Sequence, residues 1–260
     1  VIAARFSGPG QPYEGLARRK RIVEDGTGES ATVARWTGEV RFIEEALDLP
    51  LRWKSPKRIF VNSMSDLFHE KVEDGWIDAI FSVMEHTPRH TYQVLTKRPE
   101  RMMESMQTMQ RRGYPVLPNV WLGVSIENQA AMDQRISDLQ ATPAAVQFLS
   151  IEPLLGPVEI PKTWLTYKGT QQWVIIGGES GPHARPCDLD WIRDVVAQCY
   201  GVPVFVKQLG ANVYDSDLTA SGRIETVNIR DRKGSDPAEW PEDLRIQQFP
   251  VAHADNHQVR

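Results

Sequence analysis

The sequence predicts an α/β protein: a partial (β/α) barrel, TIM-like, with parallel strands. Three observations predict it. Six short apolar runs recur along the chain, each ends in a cluster of polar residues, and stretches with helical apolar periodicity separate them. Buried strands of a parallel sheet read as apolar runs, and such folds place ligand groups where those runs end. A doubly wound parallel sheet is the alternative, because periodicity alone does not separate the two. Either architecture puts the functional site at the carboxyl ends of the strands.

Residues 1–57 lack this rhythm and read as an N-terminal helical and hairpin segment packed on the barrel. Val1 to Phe6 reads as the tail of a helix, stopped at Gly8-Pro9-Gly10. Arg18-Arg19-Lys20-Arg21 reads as a solvated basic face, with phosphate contact as the alternative. The β-formers of Thr32 to Phe42 predict a hairpin around Thr37-Gly38. Ile43 to Leu49 predicts a short helix, and Pro50 and Pro56 bracket the start of the first strand.

The barrel core is expected over 58–210. Ile59-Phe60-Val61 runs into Asn62, Ser63, Asp66 and His69, and Tyr92 to Leu95 runs into Thr96-Lys97-Arg98. Val120 to Val124 leads to Ser125, Glu127 and Asn128, and Val146 to Leu149 to Ser150 and Glu152. Trp173 to Ile176 leads to Gly177-Gly178-Glu179-Ser180, and Val204 to Val206 to Lys207-Gln208. Helices are predicted over Asp74 to Glu85, Glu100 to Gln110, Asn128 to Leu139 and Leu189 to Tyr200. The stripe Met102, Met103, Met106 and Met109 reads as core packing rather than a ligand face. Leu154 to Gln172 has room for only a short helix. Residues 211–260 read as a C-terminal insertion and capping segment: a loop or hairpin over Ala211 to Arg232, a Trp-centred turn at Asp236 to Pro241, and a fraying end from His253. Together these make one structural domain.

Composition narrows the function classes. A net charge of −4 over 260 residues argues against a generally basic nucleic-acid binder, although a local basic groove is compatible with it. No apolar run reaches the length of a membrane span, and no signal peptide is visible. Two cysteines, Cys187 and Cys199, are too few for a disulfide framework and read as buried reduced thiols of a cytoplasmic protein. No Cys-x-x-Cys pair is present, and neither the P-loop nor the dinucleotide fingerprint is present.

The strand ends supply the candidate chemistry. Asp66 and His69, three apart, share a face of a turn; they are either a cap with a packed neighbour or a carboxylate–imidazole pair at the barrel mouth. Lys97 and Arg98 suit a carboxylate or phosphate. Glu127, Glu152 and Glu179 end successive strands, with Lys97, Arg98, Arg185 and Lys207 as the available partners. The Gly177-Gly178 step lets backbone approach a ligand closely.

The phrases PLRWKSPKRIFVNSMSDLFHE, QVLTKRPERM, LPNVWLGVSIENQ, FLSIEPLLGPV, WVIIGGESGPHARP, VPVFVKQLG and DPAEWPEDLR resemble a phage-derived family of uncharacterised proteins with a three-cysteine N-terminal motif. The resemblance runs from about Val1 to Pro250. Members of that family look like radical S-adenosylmethionine proteins. It implies a partial barrel whose cysteines, after the first strand, hold a [4Fe–4S] cluster. In the family, a Cys-Tyr-Ala phrase precedes a helix like Val1 to Phe6, so the resemblance places that strand and the cluster ligands upstream of Val1. No metal ligand is assigned within this sequence.

The resemblance further implies that Asn62, Ser63 and Asp66 receive the cofactor's ammonium, that Lys97 pairs with its carboxylate, and that Ser125 and Glu127 hold its ribose. Glu152, Glu179, Lys207 and His69 would face the substrate as catalytic groups. One electron from the cluster would give a 5′-deoxyadenosyl radical that abstracts hydrogen, with a nucleic-acid base or nucleotide as the expected substrate. Two other classes remain open: a non-catalytic accessory or binding protein that keeps the barrel, and a metal-independent hydrolase or lyase using the glutamates.

Overall fold

The structure is a computed structural model; it describes residues 8, 10, 11, 13–23, 30–216, 225–227 and 229–251. The expected helix tail at 1–6 and the fraying end from 253 lie outside them.

Two strands come first, β1 (Ala17–Val23) and β2 (Ser30–Trp36), paired antiparallel as a separate ribbon. The hairpin therefore pairs Val23 with Ser30 instead of turning at Thr37-Gly38, and Arg18 to Arg21 lies in a strand. Thr37 closes the ribbon's base, its N–H donating to Leu16 O at 2.9 Å. Two single-turn helices follow, α1 (Glu44–Leu47) and α2 (Leu49–Arg52), where one helix was expected. Pro50 lies in the first turn of α2, where its missing N–H costs nothing, rather than flanking the strand.

The body then alternates strand and helix: β3 (Arg58–Val61), α3 (Asp74–Glu85), β4 (Thr91–Thr96), α4 (Pro99–Arg111), β5 (Val120–Ser125), α5 (Gln129–Ala141), β6 (Val146–Ile151), the short α6 (Lys162–Leu165), β7 (Gln171–Gly177), β8 (Cys187–Asp188), α7 (Leu189–Gln198) and β9 (Val204–Gln208). All six predicted strands are parallel neighbours in the order β3-β4-β5-β6-β7-β9, a sheet curled into a half-barrel. The order never reverses. Right-handed crossovers in an unreversed order place every helix on the same face, so the sheet curls around the other. A doubly wound sheet would reverse at a switch point.

Side chains alternate accordingly. On the helix-covered face, Val94, Leu122, Val124, Leu149, Ile151, Val174, Ile176 and Val206 join Met102, Met106 and Met109 in the main core. On the concave face, Trp121, Phe148, Trp173 and Ile175 form a second, aromatic cluster with Leu95 and Phe205. Gly123 makes room for it: a Cβ there would lie 2.5 Å from the Phe148 ring.

Beyond β9 the chain packs back on the barrel. Strand β10 (Val213–Asp215) pairs with β8 and with β11 (Glu225–Thr226), the hairpin expected in this insertion. Trp240, between two short 3₁₀ turns, is buried in the main core and donates from Nε1 to Gly234 O at 2.9 Å. The segment through Ile246 and Gln248 bonds antiparallel to β9, covering that edge. At the other edge, β3 bonds, among the described residues, only to β4 and is half exposed, whereas β5 is buried along its whole length. No helix among the described residues is long and apolar enough to cross a membrane.

Candidate functional site

The polar residues that end the strands gather on the carboxyl rim of the half-barrel, and they are largely paired with one another. Glu152, just past β6, forms an ion pair with Lys207 Nζ of β9 at 3.0 Å and accepts from Ser150 Oγ at 3.2 Å, both on Oε2. Its Oε1 is buried and, among the described residues, has no donor. Gly177 lies against this oxygen, since a Cβ there would stand 2.6 Å from it. Gly178 meets the Leu209 carbonyl in the same way, at 2.0 Å. The two glycines thus admit the chain's own groups; the expected close approach is to Glu152 and β9.

Glu127 is gripped from two sides, by Lys97 and by Arg135 Nη1 at 2.9 Å. Burial alone would raise its carboxyl, but these cations outweigh burial and hold it below the usual carboxylate range. Arg135 was not anticipated. It lies on α5, and only the tertiary placement of that helix turns it back to the strand end, where it also donates to Ser125 O at 2.6 Å. Asn128 caps α5, accepting from the Ala131 N–H. Glu179 pairs with Arg185 at 2.7 Å, and the hydrogen bonds from Arg185 lower its carboxyl. Lys97 and Lys207 remain half exposed above partly buried carboxylate partners.

Asp66 accepts four donors. Thr96 Oγ1 and the Phe68 N–H reach Oδ1 at 2.7 and 3.0 Å; Arg98 Nη1 and the Lys97 N–H reach Oδ2 at 3.0 and 3.2 Å. Its acceptor capacity is met by the turn after β3, the last residue of β4 and the loop that follows it, which favours the capping role. His69 receives the Lys71 N–H on Nδ1 and faces Glu70 with Nε2, while Arg101 donates to its carbonyl. None of these bonds reaches Glu152 or Lys207. Asn62 and Ser63 stand exposed in the turn after β3, where Asn62 takes a left-handed φ of 56°, a conformation asparagine tolerates better than most residues. Ser125 is buried beside Ser150 across β5 and β6.

Cys187 and Cys199 are free and buried, flanking the two ends of α7, and burial pushes both thiols up to about 12. One carboxylate group escaped the sequence reading. Asp188, Asp190 and Asp215 bring oxygens within 4.8 Å of one another, a set that could hold a metal ion. Arg193 already fills it, with Nη1 at 2.8 Å from Asp190 and 3.1 Å from Asp215. Burial opposes the Arg193 charge, but Asp243, Asp190 and Asp215 prevail and raise its pKa. An open groove lined by Thr142, Ala145, Tyr167 and Gln171 lies at the opposite, amino-terminal end of the strands.

Comparison with known proteins gives one match. A family model described as a protein of unknown function (DUF5131) matches residues 13–246. No curated protein and no solved structure matches the chain.

Proposed function

We propose that this chain, which belongs to the DUF5131 family, is the cofactor- and substrate-binding body of a radical S-adenosylmethionine-type enzyme acting on a nucleic-acid base or nucleotide. The observation that carries the reading is the rim of an unreversed parallel half-barrel where a buried carboxylate oxygen, Glu152 Oε1, has no donor among the described residues. Buried polar atoms are nearly always satisfied, so a donor brought by a ligand is the natural complement. The donor set fits a ligand with a carboxylate, a cationic centre and hydroxyls. Half-exposed Lys97 and Lys207 suit the carboxylate, Glu152 suits a cation or donor, and Asn62, Ser63 and Ser125 suit hydroxyls. Asp66 is omitted because its oxygens are taken.

The residues present do not fit the iron–sulfur cluster. Such a cluster needs grouped thiolates, and the two cysteines here are buried thiols that stay protonated at neutral pH. In this reading the ligands come from outside these 260 residues, and the location is cytoplasmic. The bound cofactor supplies hydrogen abstraction; the chain's own residues bind, orient and exclude water. The metal-independent hydrolase is less well supported. Glu127 and Glu179 lie below the usual carboxylate range, which makes them poor general acids at neutral pH.

Calorimetry with S-adenosylmethionine tests the reading. Lys97→Ala should weaken binding about tenfold, the scale of one charge-assisted hydrogen bond. Asp66→Ala should leave affinity unchanged and lower folding stability by about 1–3 kcal/mol, as loss of a cap does. Absence of binding by the unsubstituted chain would sink the reading. Binding without cofactor cleavage by a cluster-loaded protein would favour the accessory role.

A further inference from the structure

The ribbon β1–β2 takes no part in the rim chemistry, yet it holds the densest charge in the chain. Four of the seven residues of β1 are cationic, Arg18, Arg19, Lys20 and Arg21, and β2 adds Arg35. Neither strand contains an acidic residue. Glu24, Asp25 and Glu29 belong to the sequence linking the strands, outside the paired register. The register sets Arg18 directly opposite Arg35. Like charges at directly opposed strand positions are unfavourable on their own, a cost that an anionic partner would relieve. The ribbon forms a two-stranded sheet of its own, and its base is fixed beside the rim: Ala17 is buried against Tyr13 and Met64, the latter in the turn after β3.

We infer that the β1–β2 ribbon binds duplex DNA, lying in the major groove with its cations on the phosphates. The inference deepens the function proposed above and rests on it for the site that the duplex would serve. Three geometric facts favour a duplex. Two strands about 4.8 Å apart, with their side chains, suit a groove about 12 Å wide, which admits a two-stranded ribbon. Residues two apart on one face of a strand, such as Arg18 and Lys20, are about 6.7 Å apart, close to two steps of a DNA strand. A seven-residue strand spans about 23 Å, enough for several phosphates. The net charge of −4 means that the attraction has to be local, and the ribbon is where it is concentrated.

Fluorescence anisotropy of a labelled mixed-sequence DNA duplex, titrated with the full chain at several salt concentrations, decides the matter. The variant Arg18→Gln/Lys20→Gln/Arg35→Gln should bind about tenfold more weakly or worse, with the slope of log affinity on log salt shallower by roughly 0.9 for each phosphate that is no longer neutralised. A charge-matched control, Lys162→Gln/Lys168→Gln/Lys233→Gln, should change affinity far less. The charge-keeping variant Arg18→Lys/Arg35→Lys should retain binding, and equal thermal midpoints would exclude loss of fold. Double-stranded RNA, whose deep narrow major groove does not admit side chains, should bind more weakly. Three results would overturn the inference: no binding of the duplex at low salt, a ribbon variant no weaker than the control, or RNA bound as tightly as DNA. S-adenosylmethionine calorimetry on the ribbon variant should match the unsubstituted chain, so loss of DNA binding and loss of cofactor binding are read separately.

Discussion

The guanidinium carbon of Arg58 lies 3.8 Å from the centroid of the Phe249 ring, and this contact bridges the open side of the half-barrel. Arg58 opens β3, the edge strand, which pairs with β4. Phe249 follows the segment that covers β9, and its ring packs on Phe205 and Trp173 at 5.0 and 5.5 Å. The two edges of the sheet share no strand pairing, so a cation–π contact and an aromatic cluster span the gap between them.

A double-mutant cycle on this pair should therefore return a coupling. Phe249→Ala should cost more than Arg58→Ala, because it also removes contact with Trp173 and Phe205. The coupling should be about 0.5–1 kcal/mol, the scale of a partly exposed cation–π pair. Urea unfolding of the four proteins measures it; additive effects would mean that the contact contributes nothing across the gap.

Backbone packing at the rim makes a sharper prediction. Gly178→Ala would put a Cβ 2.0 Å from the Leu209 carbonyl oxygen, and backbone on both sides leaves little room to yield. A destabilisation of about 1–3 kcal/mol or more is expected. Gly156→Ala meets nothing within 4 Å and lies outside the left-handed region, so it should be neutral or stabilising by less than about 1 kcal/mol. Thermal unfolding of the two variants should separate them clearly, and equal midpoints would contradict the close approach of β7 and β9.

Acid should weaken the fold partly through Glu127. Its folded pKa lies below the ordinary 4.5, because Lys97 and Arg135 outweigh burial. The contribution is therefore whole above about pH 4.5 and is lost as pH falls through the lower folded value. Lys97 is half exposed, so solvent screening limits the effect to about 1 kcal/mol. Glu127→Gln should be less stable than the unsubstituted chain at pH 7, and the difference should shrink below pH 4.5. A gap that stays constant from pH 7 to pH 3 would assign the stabilisation to packing instead.

Much of the candidate rim was legible because each of its residues is local to a strand end. Lys97, Glu127, Glu152, Glu179 and Lys207 could be read that way, as could the partners Arg185 and Lys207. Arg135 could not: it stands eight residues from Glu127 on a helix whose rotation about the sheet decides which way it points. The Asp188, Asp190 and Asp215 group was hidden for the same reason, since Asp215 reaches it only through the pairing of β10 with β8. The hairpin was misplaced because Thr37-Gly38 has turn chemistry, whereas the pairing of Val23 with Ser30 depends on register between two strands.

By itself the sequence determined what burial periodicity encodes. The six apolar runs are the six strands, and the helix over 74–85 has the predicted bounds, because a side chain's need for the core is written in its own chemistry. Tertiary structure alone decided the rest: the unreversed strand order, which carboxylate meets which cation, and the burial of Glu152 Oε1 without a donor among the described residues. Periodicity describes one element's relation to an unspecified interior. Strand order and ion pairing are relations between elements, set by crossover handedness and by the distances that the assembled sheet imposes.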